Sequence, residues 1–152
     1  MKIMFVCHGN ICRSPMAEFI FRKMLSDNRY EDRASVASSA TSTEEIGNPV
    51  YPPAVTELLR HGISARGKRA VQLSREDYER YDLFVCMDSA NVRNALRIFG
   101  ADPSQRVVKL MDFTDRGGDV ADPWYSGRFD VAYRDIEDGC RALFLKLFGG
   151  ER

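Results

Sequence analysis

The sequence has few of the residues that form disulfide bonds or bind structural metal ions. Its 152 residues include four cysteines, two histidines and one tryptophan. Such scattered cysteines do not make a dense disulfide framework. Two cysteines in one tight loop with a single histidine do not complete a tetrahedral zinc site. We therefore expect reduced thiols, a cytoplasmic location and no metal.

Long apolar runs and net charge are also missing. No stretch approaches the ~20 apolar residues that cross a bilayer, and the start of the chain lacks the apolar core of a signal peptide. Lys and Arg number 22, as do Asp and Glu, so no overall charge attracts nucleic acid or an anionic membrane. We expect neither as a partner, and any anion must be bound by local geometry.

The chain is long enough and apolar enough to form one hydrophobic core. Apolar residues make up 44% of it, and no repeat, low-complexity segment or linker divides it. We expect a single domain over residues 1–152.

Short apolar segments alternate with segments of helical periodicity. This pattern predicts a three-layer, doubly wound α/β fold, with a four-stranded parallel sheet and helices on both faces. In such folds, ligands lie beyond the carboxyl ends of the strands. The four strands are predicted at residues 2–6, 34–40, 82–87 and 106–111.

Helix signals follow the strands. Ser14 and Pro15 are predicted to cap and begin the first helix. Periodic apolar residues predict that Leu59 and Leu96 belong to the buried faces of two later helices. A long loop over residues 112–129 precedes the final helix, which is predicted to end at Gly149.

The segment VCHGNICRSP, residues 6–15, joins the first strand to the first helix. Backbone N–H groups and the helix dipole make such a loop an anion cradle. Gly9 and Asn10 tolerate backbone conformations closed to most residues, and Arg13 can grip two phosphate oxygens at once. The sequence therefore predicts a phosphate-binding loop after strand 1.

Cys7 is the candidate nucleophile of this loop. A thiol at a helix N-terminus beside a cation ionises more readily than a free cysteine, and a hydroxyl from Ser14 would favour the charged form. A thiolate held in line with phosphorus can attack it while the loop donors hold the equatorial oxygens. The expected product is a cysteinyl phosphate.

A carboxyl group near the end of the chain is the candidate proton donor. Asp122 precedes Pro123, which favours an extended, projecting conformation, and it is expected to act first as acid and then as base. Trp124 and Tyr125 either wall the entrance and stack on an aromatic leaving group or pack the loop down.

The whole chain resembles the low-molecular-weight protein tyrosine phosphatases, through VCHGNICRSP, SSATS, EIGNP, CMDSAN and DPWY in that order. The resemblance implies a four-stranded parallel sheet and a reaction without metal or cofactor. It implies phosphotyrosine-containing proteins as partners, and inorganic phosphate or similar oxyanions as competitive ligands. It also makes Cys7 the nucleophile, Arg13 the phosphate clamp and Asp122 the acid.

The resemblance also assigns supporting and substrate-binding residues. Asn10, Ser14 and Ser38 would hold the loop by hydrogen bonds. The substrate would meet the loop and its rim, formed by His8, Gly9, Asn10, Ile11, Cys12, Ser14, Trp124 and Tyr125.

Two positions depart from what relatives carry. Glu44 stands where many relatives have an aromatic residue, and Lys68 where some have a histidine. With Glu45 beside Glu44, the rim is predicted to favour phosphopeptides with basic flanks. His8 is expected to face out of the loop.

Other functions remain open on the residues alone. The alternatives are a thiol-dependent arsenate reductase, a phosphoarginine phosphatase, and a module that binds phosphotyrosine without hydrolysing it. Cys12 either forms a protective disulfide with Cys7 on oxidation or is a small buried residue. Cys86 and Cys140 are expected in the core.

Overall fold

A four-stranded parallel sheet lies at the centre of the computed structural model, which describes residues 1–149. The strand order is β2-β1-β3-β4, so the first strand is central. The last three residues of the expected domain, 150–152, lie outside the described part. The strands are β1 (Lys2–Cys7), β2 (Ser35–Ala40), β3 (Leu83–Cys86) and β4 (Val107–Lys109).

Helices cover both faces of the sheet, which confirms the predicted three layers. One face packs against the first, second and last helices, and the other against the third and fourth. The helices are α1 (Arg13–Asp27), α2 (Pro52–Arg60), α3 (Asp77–Arg80), α4 (Ser89–Phe99), α5 (Pro123–Ser126) and α6 (Phe129–Phe148).

The central strand shows why its sequence is continuously apolar. Ile3 and Phe5 join the larger core, whereas Met4 and Val6 join the smaller one on the opposite face. Successive side chains of a strand point to opposite faces, so a strand buried on both faces needs apolar residues throughout. β1 runs one residue further than predicted and ends at Cys7.

The fourth strand is shorter than predicted. β4 has three residues, and Leu110–Phe113 form a 3₁₀-helix instead of continuing it. Leu110 and Met111 are nevertheless buried, because this turn packs against α6. The apolar pattern correctly indicated burial, but burial alone does not distinguish a strand from a short helical turn.

Three of the predicted helix details are wrong. α1 begins at Arg13, and Ser14 does not cap it because its hydroxyl turns inward to Cys7. Leu59 and Leu96 are 58% and 36% exposed. The core contacts only a narrow stripe of these helices, centred on Leu58 and Ala95, both fully buried.

The last helix approaches the 3₁₀-helix closely at one glycine. A Cβ atom at Gly139 would lie 2.5 Å from Cγ of Leu110. The absence of a side chain at Gly139 therefore allows α6 to lie this close to the 3₁₀-helix. Within residues 1–149, no helix is both long and apolar enough to cross a bilayer.

Candidate active site

The loop between β1 and α1 surrounds the sulfur of Cys7. This sulfur accepts the backbone N–H groups of Asn10, at 3.3 Å, and of Ser14, at 3.4 Å. The hydroxyl of Ser14 lies 3.0 Å from the same sulfur. Three polar groups thus converge on one sulfur atom at the carboxyl end of the central strand.

Asn10 holds the loop in shape. Its φ is 60°, in the left-handed region, and its side chain is fully buried. Its Nδ2 donates to the hydroxyls of Ser14, at 2.7 Å, and Ser38, at 2.9 Å. Its Oδ1 accepts from the backbone N–H of Val71 at 3.0 Å. The three residues expected to support the loop do lie in one hydrogen-bonded group.

The supporting group ends in charges that the sequence did not indicate. Ser38 donates to Oε1 of Glu18 at 2.6 Å, and Glu18 is only 5% exposed. Glu18 pairs with Arg22 at 2.6 Å and lies 3.8 Å from Nζ of Lys68. Burial lowers the pKa of Lys68, although Glu18 opposes that shift. One signal was present: Glu18 follows Ser14 by four positions on α1, a spacing that places two helical residues on the same face.

Arg13 is almost completely buried beside the loop, with 4% of its side chain exposed. Its Nη1 lies 2.8 Å from Oδ2 of Asp88 and donates to the carbonyl of Val120 at 2.9 Å. Burial alone would lower the pKa of Arg13, but the charges of Cys7, Asp88 and Asp122 raise it. The guanidinium is therefore fixed and fully charged.

Asp122 lies near this guanidinium, as the sequence led us to expect. Its Oδ2 is 3.6 Å from Nη2 of Arg13. Its backbone is extended, with φ −84° and ψ 108°, and its Oδ1 accepts the N–H of Trp124 at 3.1 Å. Asp122 thus caps α5, a helix of four residues within the segment predicted to be a loop.

Most of the candidate residues line one cleft of about 180 Å³. Asn10 and Ser14, which were also expected to meet the substrate, are fully buried and do not line it. Trp124 and Tyr125 stand at its mouth, 54% and 86% exposed. The centroid of the Trp124 ring lies 4.9 Å from that of Tyr51, which supports this side of the mouth without lining the cleft. A larger groove of about 480 Å³ between α1 and α6 contains none of the candidate site residues. The smaller cleft is lined by Cys7, His8, Gly9, Ile11, Cys12, Arg13, Glu44, Glu45, Asp122, Trp124 and Tyr125.

The rim carries two carboxylates with different partners. His8 faces outward, as expected, and its Nε2 lies 2.6 Å from Oε2 of Glu44. Glu45 accepts a hydrogen bond from the side chain of Asn48 at 3.0 Å. One carboxylate oxygen of Glu44 is therefore in contact with an imidazole ring, which the sequence did not indicate.

The other three cysteines are buried. Burial, reinforced by the charge of Cys7, raises the pKa of Cys12 to about 12. Burial also raises the pKa of both Cys86 and Cys140, whose side chains are fully buried. The expectation that Cys86 and Cys140 lie in the core is correct. All four thiols are free.

Fold and loop together define a class of protein: a doubly wound α/β protein with a cysteine in an anion-binding loop at the carboxyl end of its central strand. The model of one protein family, described as low molecular weight phosphotyrosine protein phosphatase, matches residues 2–150. The chain belongs to this family.

Individual relatives match this chain over nearly its whole length. The low molecular weight protein-tyrosine-phosphatase YfkJ of Bacillus subtilis is 34% identical over 97% of this chain and 96% of its own. Its crystal structure matches with a TM-score of 0.93, covering 100% of this chain and 96% of that one. Vibrio vulnificus Wzb, solved in complex with benzylphosphonate, matches with a TM-score of 0.83 at 26% identity, covering 95% and 97% of the two chains.

Proposed function

We propose that this protein hydrolyses phosphotyrosine and small aryl phosphates through a cysteinyl-phosphate intermediate. The observation that carries the proposal is the environment of Cys7: two backbone N–H groups point at its sulfur. A buried guanidinium and a carboxyl group line the same cleft. The proposed catalytic unit is one domain over residues 1–152 of a cytoplasmic protein.

The first step is capture of the phosphate dianion. Asp88 and Val120 hold the Nη1 end of Arg13, and the remaining edge of the guanidinium grips two phosphate oxygens. The backbone N–H groups of the loop bind the oxygens that carry charge in the transition state. Because loop and guanidinium are already fixed, they need little reorganisation when the substrate arrives.

Transfer to sulfur follows. The Cys7 thiolate forms the S–P bond while the P–O bond to the tyrosine ring breaks. Asp122, in its acid form, gives its proton to the departing phenolate oxygen. The products of this step are a tyrosine side chain, a cysteinyl phosphate and an Asp122 carboxylate.

Hydrolysis of the intermediate uses the same residues with their roles reversed: Asp122 acts as the base and Cys7 as the leaving group. The Asp122 carboxylate takes a proton from water as the water oxygen bonds to phosphorus, and the S–P bond breaks. Cys7 leaves as a thiolate, favoured by the hydroxyl of Ser14 at 3.0 Å and by the two N–H groups. Inorganic phosphate then dissociates, so phosphate and similar oxyanions should compete with the substrate.

The walls of the cleft favour an aryl group. Ile11, Trp124 and Tyr125 line it, and flat aromatic side chains can stack on the ring of a leaving phenol. A benzylphosphonate, as bound by Wzb, combines an aromatic ring with a phosphoryl group and is the kind of ligand this cleft should accept. The proposed partners are therefore proteins that carry phosphotyrosine.

The burial of the other thiols disfavours arsenate reduction. A relay of thiols needs reactive sulfurs that can reach the site, but Cys86 and Cys140 are fully buried. The raised pKa of Cys12 leaves that residue protonated at neutral pH, and a protonated thiol is a poor nucleophile.

The proposal is tested with phosphotyrosine peptide and an aryl phosphate in the presence of a metal chelator. We expect the parent to turn over both substrates, Cys7→Ser to be inactive, and Asp122→Ala to be slowed by about 10²- to 10⁴-fold. Asp122→Ala should still form a phosphoenzyme with an activated aryl phosphate, visible by intact mass. Asp130→Ala is the matched control, because Asp130 is an exposed carboxylate bound to Arg128 outside the cleft.

The rival functions predict different results. A binding module would bind the phosphopeptide without releasing phosphate, and a phosphoarginine phosphatase would prefer phosphoarginine to phosphotyrosine. Full activity of Cys7→Ser would overturn the proposed mechanism.

A further inference from the structure

The segment that leads to Asp122 is docked on the turn between β3 and α4. Val120 is almost fully buried, and its N–H donates to the carbonyl of Met87 at 2.9 Å. Its own carbonyl accepts from Arg13. The path of the chain just before Asp122 therefore depends on how firmly this docking holds.

Asp119 is the charged anchor of the docked segment. Its Oδ1 lies 3.0 Å from Nζ of Lys109 and accepts the backbone N–H of Ser89 at 3.2 Å. The Ser89 hydroxyl lies 3.4 Å from the same oxygen and 3.2 Å from Nζ of Lys109. Three donors, two from the first residue of α4 and one from the end of β4, thus meet one carboxylate oxygen.

The charges favour this arrangement. Ser89 is the first residue of α4, where the helix dipole attracts a negative group. The Lys109 side chain is 17% exposed and that of Asp119 is 49% exposed, so solvent screens this ion pair in part. Burial would raise the pKa of Asp119, but hydrogen bonds and charge from Lys109 and Ser89 lower it below its usual range. The carboxylate is therefore ionised at neutral pH.

Two glycines precede this anchor. Gly117 and Gly118 have φ of 62° and 87°, in the left-handed region, where glycine is favoured and the backbone is least restricted. On their N-terminal side, Arg116 binds Asp135 and Asp138 of α6. Those contacts cannot fix the chain beyond the glycines, so its orientation depends on contacts made after them.

We propose that Asp119 is a positioning residue that holds Asp122 over the phosphate-binding loop through its contacts with Lys109 and Ser89. The inference rests on the proposed function, because it concerns delivery of the proton by Asp122. Asp119 lies three residues before Asp122 and does not line the cleft. It therefore acts by fixing the path of the chain that leads to Asp122.

The test uses two substrates that differ in their need for a proton. Phenyl phosphate releases a basic phenolate, whereas para-nitrophenyl phosphate releases a weakly basic one. For Asp119→Asn and Lys109→Met, we expect kcat/KM to fall about tenfold on phenyl phosphate and less than about threefold on para-nitrophenyl phosphate. The ratio isolates proton delivery, because loss of folded enzyme lowers both values equally.

Three further variants sharpen the result. Lys109→Arg keeps the charge and should retain most of the activity on phenyl phosphate. The double variant of Asp119→Asn and Lys109→Met should be little worse than either single one, since both remove the same contact. Asp27→Asn is the matched control, because it breaks an ion pair of similar length, 2.8 Å to Lys23, away from the cleft.

The outcomes separate this inference from the proposed function. Equal losses on both substrates, or no loss on either, would overturn the positioning role while leaving the proposed function intact. A parent enzyme that hydrolyses neither substrate would overturn both.

Discussion

Arg13 and Asp88 form an ion pair of 2.8 Å in which the guanidinium is 4% exposed and the carboxylate 20%. Asp88 also caps α4: its side chain accepts the N–H of Asn91, and the Asn91 side chain accepts its N–H in return. One carboxylate thus begins a helix and holds the proposed phosphate clamp. Substitution can separate these two tasks.

Asp88→Asn keeps a side chain that caps helices as well as Asp does but removes the charge facing Arg13. We expect a loss of about 1–3 kcal/mol in the free energy of unfolding and weaker binding of inorganic phosphate. Asp88→Ala should lose about 1 kcal/mol more, because the cap goes as well. Urea unfolding and phosphate titration check both values. Equal stability of Asp88→Asn and the parent would show that the ion pair contributes nothing.

Substitutions at Asn10 test backbone strain against hydrogen bonding. Asn10→Ala loses the hydrogen bonds to Ser14, Ser38 and Val71 and places alanine at positive φ. Asn10→Gly loses the same bonds but removes the steric cost, about 1 kcal/mol. We expect both variants to be less active than the parent and the glycine variant to be the more stable of the two. Thermal unfolding measures the effect of backbone strain, and kcat/KM measures the effect of the lost hydrogen bonds. An alanine variant as stable as the glycine variant would show that positive φ at this position causes no strain.

Gly139→Ala tests the close packing of α6. Alanine normally stabilises a helix relative to glycine by about 1 kcal/mol, but a Cβ here would lie 2.5 Å from Leu110. Overpacking costs about 1–3 kcal/mol, so we expect net destabilisation in chemical unfolding. Leu110→Ala should relieve part of the cost when combined with it. A stabilised Gly139→Ala would mean that Leu110 moves aside freely.

The thiols should differ sharply in alkylation. At pH 7.5 we expect iodoacetamide to label Cys7 alone, and inorganic phosphate to protect it. The pKa of Cys12 is raised to about 12, so its thiolate fraction stays small at neutral pH and grows about tenfold per pH unit until that value. Peptide mass mapping reads out each site, and denatured protein, in which all four cysteines react, is the control. Rapid labelling of Cys12 at pH 7.5 would contradict its protonated state.

The acidic rim should select among phosphopeptides. We expect the parent to prefer peptides with Lys or Arg beside the phosphotyrosine, by a few-fold in kcat/KM at low salt, with the preference shrinking as salt rises. Glu45→Gln should reduce the preference more than Glu44→Gln, because His8 already pairs with Glu44. Equal rates on basic and acidic peptides would show that the acidic rim does not select among phosphopeptides.

Local signals were enough to predict the architecture and the nucleophile loop. Short-range patterns are enough to predict the alternating strands and helices, the glycine and asparagine of the loop, and the role of Arg13, which is separated from Cys7 by five residues. Arg13 pairs with Asp88, which lies 75 positions further along the chain, because β3 is adjacent to β1 in the sheet. The order of the strands cannot be predicted from any one segment of the sequence. Ser14 was misread as a cap because the sequence does not show which way its hydroxyl turns.

The apolar faces of short helices were also overestimated. Leu59 and Leu96 match the helical period, yet both are exposed, since the width of the buried stripe is set by the neighbouring layer. Asp119 offered no distinguishing pattern at all: an aspartate after two glycines is typical of a surface turn. Its partners become visible only when the ends of β3 and β4 are brought together.

The packing of α1 against α6 determines when this enzyme can become complete during synthesis. The thiol of Cys140, on α6, points to the carbonyl of Ala17, 123 positions earlier in α1, the helix that begins at Arg13. A nascent chain that has emerged from the ribosome only as far as β4 has all four strands but leaves one side of α1 bare. Until residues 129–148 follow, that apolar surface is open to chaperones.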